Sequence, residues 1–269
     1  LGKMEVVRSA EALEKFSVME RAVSLEKMAL AGRARTLNKM EVVRAAEALE
    51  KMALESRVRT LSKMEVVRRA QVLEKFDVLR CSEALEKLSS LQKLATLEKM
   101  YVVRRAEILE KMDVLERNKA LNKFSAFEKA ATLDRMQVVR RTESLEKMDV
   151  LDRAATLNAM RPLSRAEALE KMALEGRVRT LGKMEVVRAA EALEKMALEG
   201  RVRTLGKMEV VRRAGTLEKM SLLSRCEAIR KMSDIDAKAT LDKMVPLEKT
   251  ATLEKMEALG WGDHGGTGI

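Results

Sequence analysis

Hydrophobic residues return along this chain at intervals of twelve, which is not the 3.6-residue period of a single amphipathic helix. Reading from Leu1 in steps of twelve, every step position to Leu253 is leucine except Ile229. Two residues later each unit carries lysine or arginine, apart from Ala159, and the next place holds methionine, phenylalanine or leucine. Eighteen of the 19 methionines occupy this fourth place. The chain is therefore a tandem array, with places counted from the leucine of each unit.

Three structures could carry a twelve-residue period. A β-solenoid favours alternating, β-branched positions, whereas these units are rich in alanine, glutamate, lysine and methionine. In one continuous helix each leucine would be rotated by roughly 120° from the last, so the apolar positions would wind around the axis. The third structure, a short helix in every unit, fits the residue pattern best.

Helix-capping signals at the fifth place favour short helices. Serine and aspartate are good N-cap residues because their side chains accept hydrogen bonds from the first-turn amides. The predicted N-caps are Ser17, Asp77, Ser89, Asp113, Ser125, Asp149, Ser221 and Ser233. Glu20, Gln92, Glu116 and Glu128 follow four of them at capping-box spacing. Pro162 and Pro246 come directly after the fifth place, at the first helical position, where a proline costs little.

These signals predict helices of about ten residues, running from the sixth place to the methionine of the next unit. Helices this short are marginal alone, so stability should come from packing on adjacent units. In the unit after Asp113 we expect Val114, Leu115, Leu121 and Phe124 to anchor the helix. Units with Met-Ala-Leu-Glu-Gly lack a polar cap, and there we expect one seventeen-residue helix over 183–199.

The sequence thus predicts an all-α fold, a tandem-repeat α-solenoid or superhelix. Residues 1–259 form one elongated repeat array, which could be a piece of a longer one. Residues 260–269 leave the pattern and are predicted to be a glycine-rich flexible tail.

Composition excludes several classes of protein. With 46% hydrophobic and only 2% aromatic residues, the chain can bury a core of leucine, methionine, valine and alanine, which argues against disorder. No apolar run approaches the ~18 residues that span a bilayer. Cys81 and Cys226 share no metal-ligand spacing and are expected to be free, buried thiols, which fits an intracellular reducing compartment or an organelle.

The sequence shows no residue pattern typical of a catalytic, phosphate-binding or metal-binding site. The single histidine, His264, lies in the tail, and neither a phosphate-binding glycine loop nor a zinc spacing occurs. Glutamate recurs at the second place, as in Glu14, Glu26, Glu50, Glu74 and Glu86, and is interpreted as a solvated row that could pair with stacked lysines. The methionines are interpreted as core. We expect no enzyme activity, cofactor, metal or small-molecule substrate.

A net charge of +11 leaves two hypotheses for function. The first is a structural scaffold, linker or filament component that contacts other copies of itself or subunits of a large assembly. The second is a basic helical-repeat protein that binds RNA or the ribosome, although aromatic residues for base stacking are scarce. For the second, the candidate contact row consists of Arg21, Arg33, Arg57, Arg69, Arg105, Arg141 and Arg213.

Overall fold

The fold is all-α and is built from tandem short helices. The computed structural model describes residues 2–261, with side chains from residue 5 onward, and this part of the chain contains no strand. In the first half the helices are α1 (Gly2–Glu14), α2 (Val18–Lys27), α3 (Leu30–Lys39), α4 (Val42–Lys51), α5 (Leu54–Lys63), α6 (Val66–Leu73), α7 (Val78–Glu86), α8 (Ser90–Lys99), α9 (Val102–Lys111) and α10 (Val114–Leu121).

Eleven further helices follow, and the number of each helix is the number of the repeat unit in which it begins. They are α11 (Ala126–Leu133), α12 (Val138–Lys147), α13 (Val150–Ala159), α14 (Pro162–Lys171), α15 (Leu174–Lys183), α16 (Val186–Lys195), α17 (Leu198–Lys207), α18 (Val210–Glu218), α19 (Leu222–Arg230), α20 (Asp234–Leu241) and α21 (Pro246–Ala258).

Most helices end at the third place of the next unit, one residue before its fourth-place methionine. Met52, for example, is the C-cap of α4 and has extended backbone angles, φ −73° and ψ 152°. An extended residue cannot continue the i to i−4 hydrogen-bond ladder, so the chain turns and the next helix starts two residues later. The methionine side chain is meanwhile buried, with 2% of Met52 exposed. The prediction of a methionine core is confirmed at these places.

The prediction of one long helix over 183–199 is wrong. α15 ends at Lys183, α16 spans Val186–Lys195, and α17 begins at Leu198. Met184 and Met196 are extended like the other fourth-place methionines. The N-cap residues that follow them, Glu185 and Ala197, make no side-chain capping bond. The absence of a local cap therefore does not fuse neighbouring helices, because a cap is supplied from elsewhere in the array.

Helices stack on the next but one. α2 packs against α4 and α4 against α6, and the same step recurs within the second half, as for α12 with α14 and α14 with α16. Within each half of the chain, odd-numbered helices therefore form one stack and even-numbered helices another, which corrects the expectation that each unit packs mainly on its immediate neighbour. The structural repeat is a pair of units, 24 residues long.

The core of each stack consists of the first-place leucines and the small residues beside them. Leu49 and Leu193 are completely buried, as are Ala48 and Ala192. The chain divides into two compact units, Leu1–Ser125 and Ala126–Ile269. The twelve-residue pattern continues across this division, and the single array over 1–259 stays a prediction.

The last described helix ends in a Schellman motif. Gly260 has φ 69°, its amide donates to the carbonyl of Glu257, and the amide of Trp261 donates to that of Met256. The first two residues of the predicted tail therefore cap α21, while 262–269 lie outside the described residues. Within residues 2–261, no helix has both the length and the apolar composition needed to cross a bilayer.

Candidate interaction surface

The ninth-place arginines predicted as an exposed contact row are buried. Between 2% and 8% of each is accessible among Arg21, Arg33, Arg57, Arg69, Arg105, Arg141 and Arg213. Their guanidinium groups point into the array, so they cannot contact the phosphates of a nucleic acid. The sequence did not distinguish these cases, because an arginine that recurs every twelve residues can be buried or exposed in every unit.

Arg165 illustrates what these arginines do. Its Nε donates to the carbonyl of Leu157 and one Nη to the carbonyl of Met160, both at 2.8 Å, at the end of α13. Its other Nη donates to the carbonyl of Arg188 and to the carboxylate of Glu191, both at 3.1 Å, on α16. One side chain on α14 thus joins the helix before it to the helix stacked on it.

The free carbonyl groups at helix ends explain why Arg165 can be buried, with only 1% of the residue exposed. The last carbonyls of a helix lack intrahelical partners and carry partial negative charge, which a guanidinium satisfies through several donors. Burial lowers the pKa of Arg165, while the hydrogen bond to Glu191 opposes that shift. Lys93 and Lys129 replace arginine at the same place and reach Glu116 and Asp152 on the stacked helix, at 2.8 and 2.5 Å.

The predicted N-cap residues lie at helix starts with differing local bonds. Ser17 forms a full capping box with Glu20. Ser89 and Ser233 accept from the amides three residues on, and Asp77, Asp113 and Asp149 from the amides two residues on. Ser221 is an N-cap without a side-chain capping bond, and Ser125 directly precedes α11. Among the other predicted capping-box acids, Glu116 instead receives bonds from Lys93 and Lys119.

The second-place glutamates supply a cap that the sequence did not reveal. The carboxylate of Glu50 accepts a hydrogen bond from the main-chain amide of Asp77 at 2.7 Å, and Glu170 accepts from Ala197 at 2.5 Å. Each bond runs from the end of one helix to the N-cap of the helix three further on, from α4 to α7 for Glu50 and from α14 to α17 for Glu170, and so joins an even-numbered helix to an odd-numbered one. The same bond recurs for Glu14, Glu26, Glu74, Asp134, Glu146, Asn158, Glu194 and Glu218.

These carboxylates are therefore not only a solvated row, as interpreted from the sequence. A negative side chain at a helix N-terminus satisfies an amide and interacts favourably with the helix dipole. The step of 27 residues between donor and acceptor is invisible to a search for local capping motifs, which look three residues ahead.

Arginines such as Arg44, Arg80 and Arg203 are exposed, and the third-place lysines form a further set of exposed basic residues. They end the helices and lie in solvent in the even stack at Lys27, Lys51, Lys75, Lys99, Lys123, Lys147, Lys171, Lys195, Lys219 and Lys243. The neighbouring glutamates are occupied with main-chain amides, as Glu50 is beside Lys51. Each even-numbered helix from α2 to α20 therefore carries an exposed positive charge at its C-terminal end.

The seventh place carries exposed hydrophobic residues, which the twelve-residue pattern alone does not reveal. Leu115, expected as an anchor, is 60% exposed, whereas Leu121 and Phe124 are buried. We name the seventh-place residues of even-numbered helices the even row. It comprises Met19, Val43, Val67, Leu91 and Leu115 in the first compact unit, and Val139, Leu163, Val187, Val211 and Ile235 in the second.

The odd row, the seventh-place residues of odd-numbered helices, is different. It contains Val7, Leu79, Val103, Phe127, Leu151, Leu223 and Leu247, but it is interrupted by Ala31, Glu55, Glu175 and Glu199. Glu55 and Glu175 pair with arginines four residues on, Arg59 and Arg179, at 3.6 and 3.4 Å. The even row is thus uninterrupted in each compact unit and the odd row is not.

The described residues hold no group of three or more histidine, cysteine, aspartate or glutamate side chains that could bind a metal ion. Cys81 and Cys226 are free and buried, as expected, and burial raises the pKa of the Cys81 thiol to about 12. The surface of the described helices is therefore notable for its rows of apolar and basic side chains.

Comparison with known proteins gives one partial similarity. Residues 40–137, about a third of the chain, match the family model of the MgtE intracellular N domain. No curated protein and no solved structure matches the chain. Over that segment the chain is similar to an MgtE intracellular N domain, a helical domain as this one is.

Proposed function

We propose that this protein is a non-enzymatic α-solenoid scaffold that holds other proteins through the exposed apolar rows of its helices. The proposal rests on the exposure of hydrophobic residues at the seventh place. Hydrophobic side chains are exposed there in helix after helix, and Leu91 and Ile235 reach 82% and 84%. Single exposed leucines are ordinary, but repeated apolar positions along stacked helices are typical of binding surfaces.

The alternative, RNA binding, has lost its main support. The arginines that would have contacted phosphates are buried and bonded to carbonyls and carboxylates. Exposed lysines and arginines remain, but the exposed apolar rows favour a protein partner over a phosphate backbone.

The family match is compatible with this proposal. The matched model describes an intracellular N domain, a part of a larger protein. A solenoid in such a setting would hold neighbouring domains or subunits, which agrees with a scaffold that acts through protein contacts.

Site-specific photocrosslinking tests the proposal. A photoreactive amino acid placed at Leu91, and in a second variant at the exposed odd-row residue Glu55, would be expressed in the cells that make the protein. We expect Leu91 to crosslink strongly to other proteins and Glu55 weakly. Equal labelling from both positions, or crosslinks to nucleic acid in place of protein, would contradict the scaffold function.

A further inference from the structure

The outer faces of the first and last described helices complement each other, and we infer that they join two copies of this chain head to tail. The front face, on α1, α2 and the turn between them, comprises Arg8, Ala12, Phe16, Glu20 and Ser24. The rear face, on α20 and α21, comprises Ala237, Lys249 and Leu253. Neither face belongs to the apolar rows, so the inference goes beyond the scaffold function.

Contacts within the array show which side of a helix faces which neighbour. Arg33 on α3 donates to the hydroxyl of Thr60 on α5 at 3.1 Å. Arg225 on α19 makes the same bond to Thr252 on α21 at 3.2 Å. The ninth place of a helix thus faces the helix two further on, and the twelfth place faces the helix two before. The twelfth place therefore marks the front face, and the ninth place marks the rear face.

The front face is exposed at places that are buried two units later. At the twelfth place Ala12 is exposed and Ser24 is partly exposed, whereas Thr36 is only 1% exposed. At the fourth place Phe16 is 44% exposed, whereas Met40 is 2% exposed. Packing on two further helices is what removes these places from water inside the array, and a second copy would supply two such helices.

The rear face shows the opposite gradient at the first place. Ile229 at the end of α19 is 1% exposed, Leu241 of α20 is 8% exposed, and Leu253 of α21 is 39% exposed. Burial thus decreases over the last two helices as it increases over the first two. Stacking one front face on one rear face, with the geometry that α19 and α21 already have, would cover both.

The charge at the ninth place identifies the front face as the occupant of the rear face. Lys93 on α8 is buried and pairs with Glu116, the eighth-place residue of α10, at 2.8 Å. Lys249 holds the ninth place of α21, but its side chain is 37% exposed and pairs with Asp242 at 3.0 Å. When α2 of a second copy stacks on α21, the eighth-place residue that faces Lys249 is Glu20.

The contact exchanges partners and strands no charge. In the single chain Glu20 accepts from the Ser17 amide, and Asp242 accepts from Lys249, both at 3.0 Å. Asp242 ends α20 at the second place, from which Glu50 of α4 caps α7, the helix three further on. In the head-to-tail stack that helix is α2 of the second copy, so Asp242 would bind the Ser17 amide. Glu20 and Lys249 are then released to pair with each other, and each charge keeps a partner.

A further match involves α3, whose N-cap Ala29 makes no side-chain capping bond. The array supplies such caps from 27 residues earlier, as Glu26 does for Ala53 at 3.1 Å. The residue 27 positions before Ala29 is Gly2, which has no carboxylate. In the head-to-tail stack α21 of one copy is the third helix before α3 of the other, so its second-place residue, Glu254, can provide the cap.

The charges also select the register. With α1 on α20, Arg8 faces Ala237, which is the combination that Arg68 and Ala45 form between α6 and α4. A shift by one helix would bring Arg8 against Lys249, and like charges oppose association. Because the front and rear faces differ, the contact is heterologous, and each added copy leaves one face free. Association should therefore continue beyond dimers.

Sedimentation velocity over a range of concentrations tests the inference. We expect the unmodified chain to form species larger than a dimer as its concentration rises. Lys249→Glu and Glu20→Lys should each weaken association by about tenfold or more, because each brings like charges together in the contact. The double variant Lys249→Glu/Glu20→Lys should restore association, since it only reverses the pair.

Matched controls are Lys147→Glu and Glu199→Lys, which make the same changes in charge at exposed places away from both faces. Both should associate as the unmodified chain does, and circular dichroism would establish that every variant folds. In a mixture of isotope-labelled and unlabelled chains, a carbodiimide should crosslink Lys249 of one copy to Glu20 of the other, which mass spectrometry would detect.

A chain that stays monomeric at every concentration would overturn the inference, as would association that Lys249→Glu leaves unchanged. Loss of association in Glu20→Lys that the double variant fails to restore would show that front faces bind each other, and the head-to-tail contact would be wrong. These failures are distinct from failure of the scaffold function, since photocrosslinks from Leu91 to other proteins would persist in each case.

Discussion

At the scale of the residue, the ninth-place arginine is the side chain that organises the array. Arg225 repeats the geometry of Arg165. Its Nε donates to the carbonyl of Leu217 at 2.9 Å, and one Nη reaches Glu248 at 2.6 Å and Thr252 at 3.2 Å. A guanidinium has five donors in a fixed plane, so it can bond the end of one helix and the side of another at once. A periodic positive charge thus stabilises the fold internally.

Replacing Arg165 by leucine should lower the free energy of unfolding by about 3 kcal/mol, because several buried carbonyls and the Glu191 carboxylate lose their donor. Urea denaturation followed by circular dichroism would measure the shift. Arg165→Lys should lose less, since lysine occupies this place naturally at 93 and 129.

The matched control is Arg179→Leu, whose side chain is 75% exposed. We expect it to change stability by less than about 0.5 kcal/mol. Similar losses for Arg165→Leu and Arg179→Leu would contradict the structural role of the ninth place.

The carboxylate of Glu116 makes stability depend on pH. Hydrogen bonds from Lys119 and Lys93 lower its pKa from 4.5 to about 2. A carboxyl group whose pKa is lower in the folded state stabilises the fold above its unfolded pKa, and this contribution is lost as pH falls through the folded pKa.

We therefore expect Glu116→Gln to be less stable than the unmodified chain near neutral pH, by about 1 kcal/mol after allowance for solvent screening. The difference should shrink between pH 4.5 and about 2, the range set by the pKa shift. Thermal melts of both proteins across this range would measure it. A difference that is constant with pH would exclude the ion pairs as its source.

At the scale of the element, helix starts are capped by distant side chains. Ala197 offers no capping atom to α17, and its amide instead donates to Glu170. The cap comes from α14, a helix of the other stack, so α17 would lose it if it were removed from the array. This explains why units without a fifth-place serine or aspartate, such as that of α17, still form a ten-residue helix like that of α2.

Glu170→Ala should destabilise the chain by about 1 kcal/mol, the usual cost of losing a helix cap. Hydrogen exchange should be faster at the amide of Ala197 than in the unmodified chain. The exposed Glu175, which makes no such bond to a helix start, provides the comparison variant Glu175→Ala. Unchanged exchange at Ala197 would show that the amide is protected by other contacts.

The sequence predicts the helices well because their ends are encoded at fixed places of the unit. Extended methionines such as Met52, the prolines at 162 and 246, and the cap at Ser17 are all local features. It predicts Arg141 and Leu115 badly, because arginine and leucine can each occupy either a buried or an exposed place in the unit. Which face of a helix is covered depends on the stacking partner, and a strict twelve-residue period does not distinguish a neighbour from the next but one.

At the scale of the whole molecule, odd-numbered and even-numbered units are not equivalent, because each helix stacks on the next helix but one. The stacked partner of Arg141 is Glu167 on α14, at 3.0 Å. The corresponding eleventh-place residue of α15 is Arg179. Two units that look alike in the twelve-residue pattern are therefore not interchangeable, since one offers a carboxylate to the buried arginine and the other a like charge.

Deleting residues 157–168, one unit, should place Arg179 against Arg141, whereas deleting 157–180, two units, should place Glu191 there. We expect the shorter deletion to be the less stable by about 1–2 kcal/mol, because it pairs like charges near a buried site. Thermal unfolding of both proteins would measure this. Arg179→Glu in the shorter deletion should restore much of the loss, and a longer deletion of lower stability would contradict the two-unit step.

The pairing of units bears on how such a gene can grow. Copying error in repetitive DNA can add one unit as easily as two, but one extra unit would transfer every later helix to the opposite stack and exchange its outward residues. Two extra units leave each later residue on its original side. Residues 169–188 recur without change at 193–212, a displacement of 24. Selection for an intact surface would retain duplications of even size, so related arrays should differ in length by multiples of two units.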